Sequence, residues 1–298
     1  MESKTLLQQI RSNPVTFIPG KKVVSIQSGE WTSSYEGKGY EPLGYRDFEI
    51  GDDPRRINLP ATARRGVPTI VNRVALRDFK VMVVLDRSAS MRIRDKFEIQ
   101  LTAVALLLYS AWKSETTFGF AVSINEELRT MGLGVGSRHF YNLYRELWTL
   151  FSNPEARVKG TRVALSRYLP PNTMVLYCSD FLTSDGALID VSRLWKSVHR
   201  YDFIPVIIQD ELEYSFPVFS KGTFVPFSNP ENGGQGEVWI SPVQSHAIES
   251  AHKSRFEELT NKWEFRGAKC LHLGILEAKI IRKQIDRFFA KRKKTTTS

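Results

Sequence analysis

"KVMVVLDRSASM", residues 80–91, carries five consecutive apolar residues, Val81 to Leu85, and stops at Asp86, after which Ser88 and Ser90 follow on alternate positions. A short apolar run bounded by turn residues reads as a strand buried on both faces of a parallel sheet. It ends in three hard oxygen donors where the backbone leaves the sheet, and open α/β sheets bind ligands outside the carboxyl ends of their strands. Immediately downstream, Phe97, Leu101, Val104, Leu108 and Ala111 recur at helical spacing.

The same alternation continues along the chain. "TTFGFAVSI" (116–124), "TMVLYCSD" (173–180), "FIPVIIQ" (203–209) and "KCLHLGI" (269–275) are strand-like. Helices are predicted from Ser137, as N-cap, to Phe151, from Thr161 to Tyr168 before "LPPN", over about 187–199, over about 245–264, and at the C-terminus. The expected fold class is α/β, a doubly wound, mainly parallel sheet covered on both faces. Residues 210–241 break the rhythm with several prolines and an Asn-Gly-Gly turn, which predicts a β-hairpin insertion. Residues 1–77 are rich in Gly, Ser and Pro, with short pieces such as "KKVVSIQ" (21–27), and are expected to form a β-rich extension packed on a main domain of 78–292. Residues 293–298 are expected to be a flexible tail.

Composition narrows the class. Of 298 residues 42% are hydrophobic and 25% charged, which is ordinary for a globular chain and unlike a disordered one. No stretch reaches the roughly 18 apolar residues of a membrane span, and the N-terminus shows no apolar signal region. Cys178 and Cys270 lack partners at metal spacing and read as buried thiols of a reducing compartment, which favours the cytoplasm. The formal charge of +10 suggests an acidic partner. Much of it lies at 279–294 and among Arg55, Arg56, Arg64 and Arg65, where pairing with Asp52 and Asp53 or plain solvation is the simpler reading. At the C-terminus Leu276, Ile280, Ile281, Ile285 and Phe288 form one apolar stripe. That stripe suits a helix covering the sheet, with a membrane-surface helix as the sharper alternative.

A lone D-x-S-x-S string is a weak signal, because Asp and Ser populate helix-capping turns. Its context strengthens it. A second apolar strand runs into Asp180, and Thr161 follows a glycine in "VKGTRVAL". Equivalent strand ends converge in a parallel sheet, so Asp86, Ser88, Ser90, Thr161 and Asp180 are candidate ligands of one hard cation, Mg²⁺ or Mn²⁺. Nearby Asp185 is explained by an Asp-Gly turn. No histidine sits in a nucleophile motif and no phosphate-binding P-loop is present. Ser88 stands where a phosphatase-like Asp-x-Asp would need its second acid. These features point away from an enzyme.

The three segments resemble the metal-ion-dependent adhesion site of von Willebrand factor A domains. With "RDFEIGDDPRRINLPATARRGVPTIVNR" (46–73) directly upstream, the chain resembles domain-of-unknown-function family 58 over roughly residues 40–209. The resemblance implies a von Willebrand factor A-like fold and one Mg²⁺, Mn²⁺ or Ca²⁺ ion at the five residues. It also implies an acidic residue of a partner completing the ion's coordination. Members commonly associate with MoxR-type AAA+ ATPases, and those near this length include accessory proteins of bacterial methanol oxidation. The implied function is an adaptor that works with such an ATPase in assembly or metal loading of a client protein. Leu59 departs from a position often aromatic, Arg87 from one often small or apolar, and the membrane anchor of many members is missing. A metal-dependent hydrolase and a basic nucleic-acid-binding protein are the alternatives. The first would need a general base beside the ion, and the second a steep salt dependence without Mg²⁺.

Overall fold

In a computed structural model of the chain the described residues are 3–11, 14–15, 42–49, 54, 57–73, 80–124, 127–153, 156–163, 169–170, 173–182, 201–228 and 234–296. They fall into two compact units, Lys21–Asp78 and, as the larger, Met1–Gly20 with Phe79–Ser298. Helix α1 (Ser3–Arg11) therefore groups with the larger unit, because Leu6 and Ile10 are buried in its core.

In the smaller unit, strands β1 (Pro42–Asp47) and β2 (Thr69–Arg73) pair antiparallel, with Asp47 opposite Thr69. Between them, helix α2 (Leu59–Arg65) begins where the Asn58 side chain accepts the Ala61 N–H at 2.9 Å, and ends at Gly66, whose φ of 72° suits glycine. Arg64 and Arg65 are exposed, and Arg65 meets Asp47 at 3.2 Å, a solvated pair of small energetic consequence. The strand-like 21–27 and Asp52, Asp53, Arg55 and Arg56 lie outside the described residues.

The larger unit is built on one seven-stranded sheet. Its strands are β3 (Lys80–Asp86), β4 (Thr117–Ile124), β5 (Glu127–Gly134), β6 (Thr161–Val163), β7 (Thr173–Ser179), β8 (Asp202–Ile208) and β11 (Leu271–Leu273). They lie in the order β11-β8-β7-β3-β4-β5-β6, all parallel except β5, which runs against both neighbours. Residues alternate between two cores. Val81, Val83 and Leu85 face one, and Met82 and Val84 the other. On the first face lies α3 (Lys96–Lys113), buried over most of its length, so its apolar run "LTAVALLLY" needs no polar face. It is flanked by α1, by α4 (Gly136–Ser152) and by α7 (Ala278–Thr296), whose Ile281, Ile285 and Phe289 are buried. Of the expected stripe, Ile281 and Ile285 cover the core, Ile280 and Phe288 are half-buried and Leu276 is exposed ahead of the helix, with Phe289 completing the buried face. The second face is closed by α6 (Pro242–Phe265), capped by a reciprocal Ser241–Gln244 box. The expected mixed α/β fold, with a mostly parallel sheet and helices on both sides, is present.

The hairpin expected within 210–241 is β9 (Thr223–Ser228) paired antiparallel with β10 (Gln235–Ile240), a separate two-stranded sheet preceded by the short helix α5 (Glu211–Tyr214). Four expectations differ in detail. Helix α4 starts at Gly136 without a side-chain cap from Ser137. The Thr161–Tyr168 helix is replaced at its start by β6, while 164–168, like the predicted helix at 187–199, lie outside the described residues. Strand β5 was not foreseen. The backbone of α7 continues through the supposed tail to Thr296. Among the described residues no helix is long and apolar enough to cross a membrane.

His272 on β11 packs between the rings of Phe256 (4.8 Å) and Tyr214 (5.0 Å), and burial pushes its pKa down to about 4. The unfolded chain takes up this proton near pH 6.5, so between pH 6.5 and 4 the unfolded state binds more protons and stability falls with pH, by up to about 3 kcal/mol from this group. His272→Phe should flatten that part of the melting-temperature profile relative to wild type; parallel profiles for the two proteins would show that His272 does not contribute.

Candidate functional site

Strands β3 and β7 are adjacent and parallel, with Leu85 opposite Cys178, so Asp86 and Asp180 emerge at the same sheet edge. At that edge Ser88 begins a 3-10 turn, Ala89–Arg92, which is pinned by Met91, fully buried in the core. The Asp86 carboxylate accepts the Ser88 N–H at 3.0 Å through Oδ1 and the Ser179 hydroxyl at 2.6 Å through Oδ2. The Ser88 and Ser90 hydroxyls share a hydrogen bond of 3.0 Å. Ser88 makes no side-chain cap bond, so the plain capping explanation of this loop does not account for its hydroxyl. Burial, reinforced by the negative charge of Asp180, raises the pKa of Asp86 against the lowering effect of the Ser179 and Ser88 hydrogen bonds. Among the described residues no basic side chain is among the groups perturbing it. Arg87, the unusual neighbour, turns away and donates to the Ala156 carbonyl at 2.7 Å.

Asp180 differs. It is fully buried, and Lys96, also fully buried at the start of α3, donates to its Oδ2 at 2.9 Å. The same ammonium reaches Glu213 Oε1 on α5 at 2.6 Å. Oδ1 of Asp180 accepts the Leu182 N–H at 3.1 Å, so both carboxylate oxygens are engaged. Phe181 between them adopts φ 56°, a left-handed conformation that costs an aromatic residue roughly 1–3 kcal/mol. The turn is held by the Phe181 N–H donating to Ser179 Oγ at 2.9 Å and by the ring of Trp263 at 5.3 Å.

Two glutamines tie the strand ends together. Gln100, one helical turn after Lys96, donates to the carbonyls of Asp86 (3.0 Å) and Cys178 (2.9 Å), and Gln209 donates to the Asp180 carbonyl at 2.9 Å. Carbonyls at the end of a buried strand need such partners. Lys96, Gln100, Ser179 and Gln209 were not singled out from sequence. A polar i, i+4 pair on an otherwise apolar helix was the available signal.

Thr161 does not join the cluster. It stands in register with Thr130, Ala121 and, through them, Val84, three strands from β3 and about 14 Å across the sheet at the usual spacing of about 4.8 Å. Gly160, at φ 108°, packs so tightly on the Thr130 carbonyl that a Cβ there would collide with it, which lays Thr161 along β5 instead of at a helix start. Of the five residues expected to share one site, Asp86, Ser88 and Ser90 come together, Asp180 is adjacent but engaged by Lys96, and Thr161 is remote. Asp185 lies outside the described residues.

The donor set, the Asp86 carboxylate, which has no basic partner among the described residues, with the Ser88 and Ser90 hydroxyls, is all oxygen and fits a hard divalent cation. Among the described residues no group of three or more His, Cys, Asp or Glu side chains is placed to hold a metal, so a cation would rest on Asp86 with neutral donors.

Residues 44–257 match the family described as "Protein of unknown function DUF58". The chain belongs to the DUF58 family. This DUF58 chain is 23% identical over 231 residues to the uncharacterized protein Rv1480 of Mycobacterium tuberculosis, covering 75% of this chain and 71% of that one. The uncharacterized protein Mb1516 of Mycobacterium bovis matches to the same extent. Among solved structures, the PilB minor pilin from Streptococcus sanguinis is similar with a TM-score of 0.35 and 9% identity, over 76% of this DUF58 chain and 64% of the pilin. The pilus adhesin SpaC from Lactobacillus rhamnosus GG, in its open conformation, follows with a TM-score of 0.33 and 10% identity, over 73% of this chain and 30% of the adhesin. The chain spans less than two thirds of either pilus protein, and at these TM-scores the likeness carries no argument.

Proposed function

We propose that this protein is a von Willebrand factor A-like interaction adaptor that uses the Asp86 loop to hold a divalent cation, Mg²⁺ by preference, on which an acidic side chain of a partner docks. The observation that carries the reading is geometric: the Asp86 carboxylate is gathered with the Ser88, Ser90 and Ser179 hydroxyls at a strand end, and no basic side chain among the described residues pairs with it. When bound, Mg²⁺ supplies exchangeable coordination positions, because it keeps several waters. Asp86 supplies the charge, Ser88 and Ser90 the neutral donors, and Ser179 and Gln100 hold the strand ends in place. Family resemblance makes the partner a MoxR-type AAA+ ATPase, the pair acting in assembly or metal loading of a client protein. The free thiols of Cys178 and Cys270 support a cytoplasmic setting.

The test is capture of partners from the native host in Mg²⁺ and in chelator, followed by affinity measurement with the purified AAA+ partner. Binding should be lost on chelation; affinity indifferent to chelator would refute the docking role. Mn²⁺-dependent turnover of a phosphoester substrate would favour a hydrolase instead, and nucleic-acid binding that falls steeply with salt and ignores Mg²⁺ would favour the third reading. Ser88→Ala removes only a neutral donor, so it should weaken cation binding by roughly three- to tenfold without abolishing it. Calorimetry with Mg²⁺ alone checks this, and a complete loss would mean that Ser88 carries more than a neutral ligand can.

A further inference from the structure

We propose that Lys96 is a tethered cation that withholds Asp180 from the Asp86 loop and thereby keeps the loop's affinity for divalent cations low until a partner carboxylate arrives. This deepens the docking role proposed above and rests on it.

Asp180 stands one residue beyond the position level with Asp86 on the adjacent strand, and its charge is close enough to raise the pKa of Asp86. It is thus the natural second anionic ligand. Its two oxygens are nevertheless taken, one by the Lys96 ammonium and one by the Leu182 N–H. Lys96 is held from the other side by Glu213, whose Oε2 accepts the Asp210 N–H at 2.9 Å in the capping box of α5. Arg255 on α6 donates to the Glu213 carbonyl at 2.6 Å, and its charge faces both Glu213 and Asp180. Two basic groups therefore offset Asp180 from the interior, and none among the described residues offsets Asp86. The Lys96 ammonium is fully buried and bonded to both carboxylates, and breaking such a pair would leave a charge buried without compensation, so the offset is built into the fold. A strongly hydrated cation facing a single available carboxylate binds weakly, and a partner's acid supplies the second charge. Cation and partner are then each required for tight binding of the other, a reciprocal coupling.

The experiment measures binding of Mg²⁺ and Mn²⁺ alone, with no partner, by calorimetry for wild type, Lys96→Met and Lys96→Met/Asp180→Asn. Removing a positive charge within a few ångströms of the released carboxylate should tighten binding by about tenfold or more in Lys96→Met. The added Asp180→Asn should return affinity to near the wild-type value. If Lys96→Met is too unstable for calorimetry, the Mg²⁺-induced rise in melting temperature reads the same quantity, and it should exceed the wild-type rise. Wild-type binding with no tightening in Lys96→Met, or tightening that survives Asp180→Asn, overturns the role of Lys96 and leaves the docking reading standing. No Mg²⁺ or Mn²⁺ binding by any of the three proteins overturns both.

Discussion

Asp86→Ala should weaken Mg²⁺ binding by at least about a hundredfold while leaving the protein folded. Among the described residues no basic side chain engages Asp86, and Ser88 and Ser90 alone offer no charge against the hydration of Mg²⁺. The sign of the stability effect is the opposite of an ordinary active-site loss. The pKa of Asp86 is raised in the fold, first by burial and then by Asp180, so its ionised form is disfavoured there relative to the unfolded chain. At neutral pH without metal the substitution removes that penalty along with the Ser179 and Ser88 hydrogen bonds, and the melting temperature should stay level or rise. With Mg²⁺ the order reverses, because the wild type alone gains ligand stabilisation. Cation affinity of the wild type should also fall as pH drops through the raised pKa. A variant that binds Mg²⁺ within tenfold of wild type would remove Asp86 from the site.

Trp263→Ala should cost about 4 kcal/mol of unfolding free energy, the usual consequence of deleting a fully buried aromatic side chain. Trp263 is completely buried on α6, stacks on Phe203 at 5.5 Å and meets Phe181 edge-on at 5.3 Å. Its loss would open a cavity on the second face of the sheet and release the ring that holds the left-handed Phe181 turn beside Asp180. Trp263→Phe keeps an aromatic in place and removes an indole N–H that is buried without a partner among the described residues, so it should cost far less, about 1 kcal/mol. Urea unfolding of the three proteins checks the pair, and a Trp263→Ala loss under about 1 kcal/mol would show that this face is not a packed core.

The central strands were legible in the sequence because a parallel strand covered on both faces is a continuous apolar run. "KVMVVLD" becomes one strand with the expected ends, and "TMVLYCSD" one strand that stops a residue short, at Ser179. Strand β5 was not, since "ELRTMGLG" carries two glycines and two charges and owes its pairing to β4 on one side and β6 on the other. Gly160-Thr161 reads locally as a helix start, and only the close approach of β5 makes it an edge strand. Asp86, Ser88 and Ser90 were found because they follow a recognisable strand. Lys96 was not, because a lysine in the first turn of a helix resembles a solvated charge; its burial depends on Asp180 and Glu213, 84 and 117 residues away.

Both outermost strands of the seven-stranded sheet, β11 and β6, are only three residues long. Each therefore offers a very short row of main-chain donors and acceptors to an incoming strand, which blunts edge-to-edge self-association. The same brevity restricts how another protein can be recognised. Strand addition draws its affinity from a long ladder of main-chain hydrogen bonds, and among the described residues neither edge of this sheet offers one. On the docking role proposed above, recognition would fall to the loops at the carboxyl ends of the strands, where affinity depends on side-chain chemistry and can be altered by one or two substitutions without disturbing the sheet.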